Sequence, residues 1–452
     1  MFQTIFSIFS DLVDIGLHWG QNLVWRPLFL LGKQGIKVRQ MFLELPTAQA
    51  VTIYAGVLWV IPLSFLAPYA SLYCEKLGFS DTELGVYQNM QLAASIVSLA
   101  VGGYLTDVWG PKRTLLFFDA VSWGSYALLL ALATNKWWVI AAILLFSTNA
   151  GSTPPYQCLM MEGIQQKRRA IVYTVLQMAN LAPAILFFPL VGGMWVEKRG
   201  LLRANHEMYW LLLAFITLGM WCRWKFLPSS KKGGESSPAA LWQAVRDGAR
   251  QYLAAMKEYF GRPGSRIILA SKFIDEWIIA QWGIYSSIYF VKSLDLKESY
   301  LSVFSQVSSY VGFFTLFIII PSIPPKSMMK ILGFDQILGL VSFGILLVLG
   351  KGGGNVLLGG LVSSGFGAAA VVLYWTVSMA AWMTVIDEKT RAKVYSASWC
   401  LIRVGIAVTG SAAAFLYGKV SPMALLWVMI GLRIVGFVLL RRASRILTAS
   451  TA

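Results

Sequence analysis

Apolar residues run along the chain in long blocks near 48–72, 84–106, 114–134, 137–160, 170–196 and 207–227. Six more follow near 267–291, 299–322, 328–350, 354–386, 393–418 and 421–440. A helix needs about 20 mostly apolar residues to cross a bilayer. The blocks lack the ten-residue alternation of a membrane barrel. The pattern predicts an all-α polytopic membrane protein with 12 transmembrane helices, six on either side of the turn-rich Lys231-Lys232-Gly233-Gly234-Glu235-Ser236-Ser237-Pro238. Ahead of them, Phe2, Ile5, Phe6, Phe9, Leu12 and Val13 form one helical stripe with Asp11 and Asp14 off it, as in a helix lying in the membrane interface. Between the halves, Trp242, Val245, Tyr252, Leu253, Met256 and Tyr259 share one face of a predicted surface helix; a solvated linker is the other reading. The expected organisation is an interfacial N-terminal segment 1–47, a six-helix bundle 48–227, a linker 228–266, a second bundle 267–442 and a tail 443–452.

Composition agrees with this pattern. The chain is 57% apolar and 13% charged, against about 25% charged in soluble proteins, which excludes an ordinary soluble enzyme. The net charge of +17 would suggest nucleic acid in a soluble protein; here it reads as the Lys/Arg excess of cytoplasmic loops. With span-end residues assigned to the adjoining loop, the N-tail, even-numbered loops and C-tail hold 26 Lys and Arg, against 9 in the odd-numbered loops. Both termini are therefore expected in the cytoplasm, with the protein in the cell (inner or plasma) membrane and no nucleic-acid partner. Cys74, Cys158, Cys222 and Cys400 are scattered, and His18 and His206 are the only histidines, so neither a metal site nor a cofactor is expected. No removable signal peptide is expected. The run 350–355, GKGGGN, lacks the GK[ST] ending of a phosphate loop, and no enzymatic activity is predicted.

The halves repeat. Ser71-Leu72-Tyr73-Cys74-Glu75-Lys76 and Ser287-Ile288-Tyr289-Phe290-Val291-Lys292 close the first and seventh spans 216 residues apart, the offset that also relates Asp119 to Asp335. Pro111-Lys112 matches Pro325-Lys326 at 214, and Arg169-Ala170-Ile171-Val172-Tyr173 matches Arg391-Ala392-Lys393-Val394-Tyr395 at 222. Four matches in register predict two pseudo-symmetric six-helix bundles. Parallel repeats of this kind place a substrate site between the halves near the midplane.

Between spans two and three lies Gly103-Tyr104-Leu105-Thr106-Asp107-Val108-Trp109-Gly110-Pro111-Lys112-Arg113. Gly103 would let helices approach closely, Gly110 permits a tight turn, and Asp107 can accept charge-assisted hydrogen bonds from Lys112 or Arg113. With the six-plus-six layout, this stretch resembles the G-x-x-x-D-x-x-G-x-[RK]-[RK] signature of the major facilitator superfamily over residues 48–442. The resemblance implies a monomeric secondary transporter working by alternating access, with Gly103, Asp107, Gly110, Lys112 and Arg113 as a cytoplasmic gate latch and Asp119 as its partner. As plain loop chemistry, Lys112 and Arg113 are positive-inside residues. Val108 stands where the family often has a basic residue, and Pro324-Pro325-Lys326 lacks both Asp and Gly. Pro189, Gly192 and Gly193 resemble a helix-packing motif of antiporters, with Phe188 in place of its first glycine.

Ionisable residues inside spans mark function by default. Lys272, Asp275 and Glu276 lie three and four residues apart and can share one face of span seven. By the resemblance, that helix lines the central cavity, where a carboxylate could exchange a proton with the cytoplasm; a self-satisfied salt-bridge cluster is the alternative. Arg403 could pair with Glu276 or bind an anionic substrate, and Arg433 reads as structural or lipid-contacting. Asn149, Tyr156, Gln157, Gln281, Trp282, Tyr285, Tyr374 and Trp375 complete the expected wall of a cavity for a small organic substrate. Protons and membrane lipids are the other expected partners. A flippase for an amphiphile and a non-transporting scaffold remain alternatives.

Overall fold

The computed structural model describes residues 46–161, 188–228, 264–320, 331–378 and 391–451, with separate positions within 176–186 and 250–262 and Trp382. The predicted interfacial helix over 2–14, the linker residues Trp242, Val245, Tyr252 and Leu253, the repeat segment Arg169 to Tyr173 and Pro324-Pro325-Lys326 lie outside the described residues.

Among the described residues, twelve long helical elements follow one another. In the first half these are α1 (Thr47–Lys76), α2 (Asp81–Trp109), α3 (Pro111–Asp119, continuing through a π turn to Ala131), α4 (Lys136–Phe146, continuing through 3-10 turns to Met161), α5 (Phe188–Arg199) and α6 (Leu201–Phe226). The second half has α7 (Ser265–Ile288, with a π turn to Ser293), α8 (Tyr300–Ile319), α9 (Phe334–Gly350), α10 (Val356–Ser378), α11 (Arg391–Phe415, with a π turn to Val420) and α12 (Pro422–Thr451). By length and composition, α1, α2, α3, α8, α10, α11 and α12 are each apolar enough to cross a membrane. The expected tail from 443 is instead the last turns of α12.

Local chemistry sets the helix ends. Ser80 and Glu83 form a reciprocal capping box that starts α2 ahead of its apolar block. Asn135 and Asn355 cap α4 and α10 by accepting from the amides of Trp137 and Leu358. Gly110, with φ of +81°, makes the turn between α2 and α3 that a side chain would strain. The turns at 77–80, 132–135, Gly200, 294–299, 351–355 and Ser421 share one end of the bundle, the loop face; Gly110, the described end of the linker at Met256–Tyr259 and α12's C-terminus mark the other, the linker face.

Packing repeats with the sequence. Helix α1 packs on α6 as α7 packs on α12, and α2 packs on α4 as α8 packs on α10. Across the halves, α2 meets α11 and α5 meets α8, contacts that the same pseudo-two-fold exchanges. Helices in lipid gain little hydrophobic energy from meeting, so close approach at small residues matters more. Here the expected role of Gly103 falls to its neighbour. A Cβ on Gly102 would collide with the Gly151 backbone on α4, whereas one on Gly103 would meet nothing within 4 Å. The last linker turn docks beneath the second half: Met256 and Tyr259 are buried with Ile268, Trp382, Val394 and Ala443.

Candidate functional site

Among the described residues, five acidic or basic side chains are buried in the second half: Lys272, Asp275, Glu276, Asp335 and Arg433. A buried charge is costly unless partners surround it, and each of these is surrounded. The Tyr374 hydroxyl donates to Glu276 Oε1 at 2.6 Å and accepts from Lys272 Nζ at 3.1 Å. Lys272 Nζ lies 3.7 Å from Glu276 Oε1. The rings of Trp399, Trp382, Tyr374 and Trp375 stand 4.2, 4.7, 5.5 and 5.6 Å from the same ammonium, a cation–π box. A π turn beginning at Tyr374 places that ring and Trp375; Trp375 also stacks on Trp399.

Asp275 takes its hydrogen bonds from α9 and α12. Arg433 Nη1 donates to Asp275 Oδ1 at 2.6 Å and to Gln336 Oε1 at 3.1 Å. Gln336 Nε2 reaches both Asp275 oxygens, at 2.7 and 2.9 Å, and Asp335 Oδ2 at 2.9 Å. Two glycines make room: a Cβ on Gly339 would lie 2.6 Å from Arg433 Nε, and one on Gly436 would lie 3.0 Å from Gln336. Arg433 is therefore not a lipid contact. The face shared by Lys272, Asp275 and Glu276 is divided between partners on α10, α9 and α12.

The first half holds a smaller counterpart. Asp119 on α3 forms an ion pair with Arg223 on α6, both fully buried. Arg223 also donates to the Thr52 carbonyl at 3.2 Å and lies 4.3 Å from the Trp59 ring. Beside the pair is a cavity of about 190 Å³ lined by Trp59, Trp123, Ser152, Tyr156 and Arg223 among others. This corrects one expectation: Asp119 pairs with Arg223 rather than with Lys112 or Arg113. Lys112 Nζ instead donates to the Leu227 carbonyl at 2.6 Å, closing the end of α6. Arg113 is exposed, and the side chain of Asp107 lies outside the described residues.

Polar contacts join the halves from the loop face to mid-span. Lys292 on α7 lies 3.1 Å from both Glu75 and Asp81, and Lys76 lies 3.7 Å from Glu298. Tyr285 donates to the Asp81 carbonyl at 3.2 Å and stacks on Tyr417. Gln281 donates to Asn89 Oδ1 at 3.1 Å. Deeper in, Arg403 Nη1 donates to Ser95 Oγ at 3.0 Å, so its partner is on α2 in the other half and not Glu276. Gly85 and Gly410 allow the closure, because a Cβ on either would strike Tyr285 or Asn89. Of the packing motif, Pro189 is buried, Gly192 abuts the backbone of Phe65 on α1, and Gly193 abuts Ser302 across the halves.

The remaining candidates are dispersed. Asn149 accepts from Ser152 within α4, Tyr156 lines the first-half cavity, and Gln157 is exposed. Trp282 is half-buried and packs on Tyr289, Phe290 and Phe343 inside the second half. Sequence reasoning did not single out Arg223, Gln336, Trp382 or Trp399. The repeat held part of the signal, because Asp119 and Asp335, one 216-residue offset apart, each lie in a cluster with a buried arginine of the last span of their half, Arg223 on α6 and Arg433 on α12.

A sequence profile described as Major Facilitator Superfamily matches residues 48–408. Among solved structures, the fold is similar to a point mutant of the peptide transporter POT, with TM-score 0.68 and 15% identity over 90% of this chain and 98% of that one. It is also similar to a human organic anion transporter, with TM-score 0.60 and 15% identity over 88% and 100%. The third is a mutant of the nucleoside transporter NupG, with TM-score 0.61 and 12% identity over 87% and 99%. No curated protein matches the chain by sequence.

Proposed function

The chain belongs to the major facilitator superfamily, and from that premise we propose that it is a proton-coupled secondary transporter moving a small organic solute by alternating access. It is a transporter and not an enzyme, and it works as a monomer in the cell membrane with both termini in the cytoplasm. The charge asymmetry of the loops supports that orientation and makes the linker face cytoplasmic.

One observation carries the reading. The halves are held together at the loop face by ion pairs and hydrogen bonds between side chains, which can part without unfolding either half. In this orientation they form an outer gate. Each such surface pair contributes only about 0–1 kcal/mol, so a bound solute needs only a modest differential affinity to open them. Arg403, which spans the halves to Ser95 on α2, supplies a cation for an anionic or zwitterionic solute. The transporters it resembles are named for peptides, organic anions and nucleosides. Proton coupling is assigned to the acids of α7, and Asp107 with Lys112 and Arg113 to a latch on the cytoplasmic side.

The test is a thermal-shift screen of metabolites, siderophores and drugs on purified protein, followed by counterflow of the stabilising solute in proteoliposomes. Transport driven by an imposed pH gradient is expected. It should be lost in Asp275→Asn or Glu276→Gln; if both variants keep it, the coupling reading fails.

A further inference from the structure

The two halves hold the same buried arginine in different company. In the first half Arg223 faces one carboxylate, Asp119. Position 59, which the 216-residue offset relates to 275, holds Trp59, whose ring faces that guanidinium. In the second half the related position holds Asp275, so the environment of Arg433 contains two carboxylates, Asp275 and Asp335. The amide nitrogen of Gln336 is stretched over three carboxylate oxygens within 2.9 Å, although it has only two hydrogens.

Lys272 does not make up the deficit, because Glu276 and Tyr374 hold it. Among the described residues, the ionisable groups around the pair are Lys272 and Glu276 on α7, Tyr374 on α10 and Arg433 on α12. With the pair itself, that is three carboxylates against two cations. An unmatched charge at this depth is expensive, and the group neutralises instead.

A second observation points to what neutralises it. A cavity of about 10 Å³ touches Asp275, lined by Ser271, Lys272, Tyr374 and Ser378, with Ile268, Trp382 and Leu440 on its remaining walls. The hydroxyls of Ser271 and Ser378 are buried and make no hydrogen bond to protein. A space of this size suits one water molecule, and two idle hydroxyls beside a carboxylate supply its partners.

We infer that Asp275 and Asp335 form one proton-binding site, in which a single proton is shared across the Gln336 bridge and arrives through a water held by Ser271 and Ser378. The step is a plain protonation. Hydronium gives its proton to a carboxylate oxygen of the pair and leaves as water, and no other bond changes. Resting on the coupling reading above, the inference makes this pair, at the meeting of α7, α9 and α12, the place where proton and transport cycle meet. Glu276 is a positioning residue for Lys272.

Infrared difference spectroscopy across a pH titration of the purified full chain tests this. A protonated-carboxyl band is expected that disappears at high pH. It should be lost in Asp335→Asn, which keeps the Asp275–Arg433 pair and the fold, and in Asp275→Asn. It should persist in Glu276→Gln and in Asp119→Asn, where one carboxylate faces one guanidinium. A band that survives both Asp275→Asn and Asp335→Asn, or that vanishes in Glu276→Gln, overturns the site. Cross-linking Glu75→Cys to Lys292→Cys locks the loop face, and the titration midpoint of the band is expected to shift on locking. A band with the expected variant pattern but an unmoved midpoint would leave the proton site standing and overturn its coupling to the gate.

Discussion

Replacing Gly339 with alanine probes whether the Arg433 cluster is as tightly built as its geometry says. The new Cβ would lie 2.6 Å from Arg433 Nε, 2.9 Å from Cζ and 3.0 Å from Cδ. These atoms cannot swing aside freely, because Asp275 holds the head of the side chain at 2.6 Å and Gln336 at 3.1 Å. Overpacking of this kind costs ~1–3 kcal/mol. If Arg433 is pushed off Asp275, the stranded charge raises the cost to ~3–5 kcal/mol. Gly344 on α9 and Gly431 on α12 are the controls, since a Cβ on either meets nothing within 4 Å. Alanine there should be neutral or stabilising by ~0.5–1 kcal/mol, because a mid-helix glycine loses the most freedom on folding. Thermal unfolding in detergent, followed by tryptophan fluorescence, should rank Gly339→Ala well below both controls. Adding Arg433→Lys, which carries its charge on a slimmer end group, should recover ~1 kcal/mol of that loss. Equal stability of Gly339→Ala and Gly344→Ala would refute the reasoning.

Arg223→Met should destabilise the first half by ~3–5 kcal/mol by stranding Asp119, and Asp119→Leu in the same chain should restore most of it; thermal unfolding of single and double variants reads both. Lys292→Glu sets like charges against Glu75 and Asp81 and should open the loop face, raising the alkylation rate of a reporter cysteine at Gln281 by a reagent confined to that side. Asp107→Asn should shift the same balance through the opposite face, and unaltered labelling of reporters on both faces would count against the latch. Tyr374→Phe removes the hydroxyl between Lys272 and Glu276 and should cost ~1–3 kcal/mol, measured by unfolding against a Tyr54→Phe control at an exposed ring.

Much of the architecture is legible in one dimension. The apolar blocks predict where most of the helices run to within several residues; of the block at 170–196 the described helix α5 covers only the part from Phe188, and α12 continues past its block to Thr451. The offset that pairs Asp119 with Asp335 places both acids in buried positions early in α3 and α9. The same offset hides a difference that matters more, since it relates Trp59 to Asp275. Gly110 is legible as a turn because its motif surrounds it. Gly102 and Gly103, adjacent on one helix, are told apart only by which one faces Gly151.

Span length, helix class, duplication and charge asymmetry are properties of the linear order of residues, because a bilayer tests each segment's apolar length before any neighbour is present. The direction a side chain takes is a different matter. A helix apolar on nearly every face has no preferred rotation of its own, so nothing local turns Asp275 toward Arg433 and Gln336 or Lys272 toward four aromatic rings. Packing against α9, α10 and α12 sets that rotation. Packing likewise draws Arg223, near the end of its apolar block, into a buried pair with Asp119, and sends Arg403 across to Ser95 rather than to Glu276. Partners more than a hundred residues apart along the chain become neighbours only when the helices assemble, and the low dielectric between them then makes each pairing obligatory.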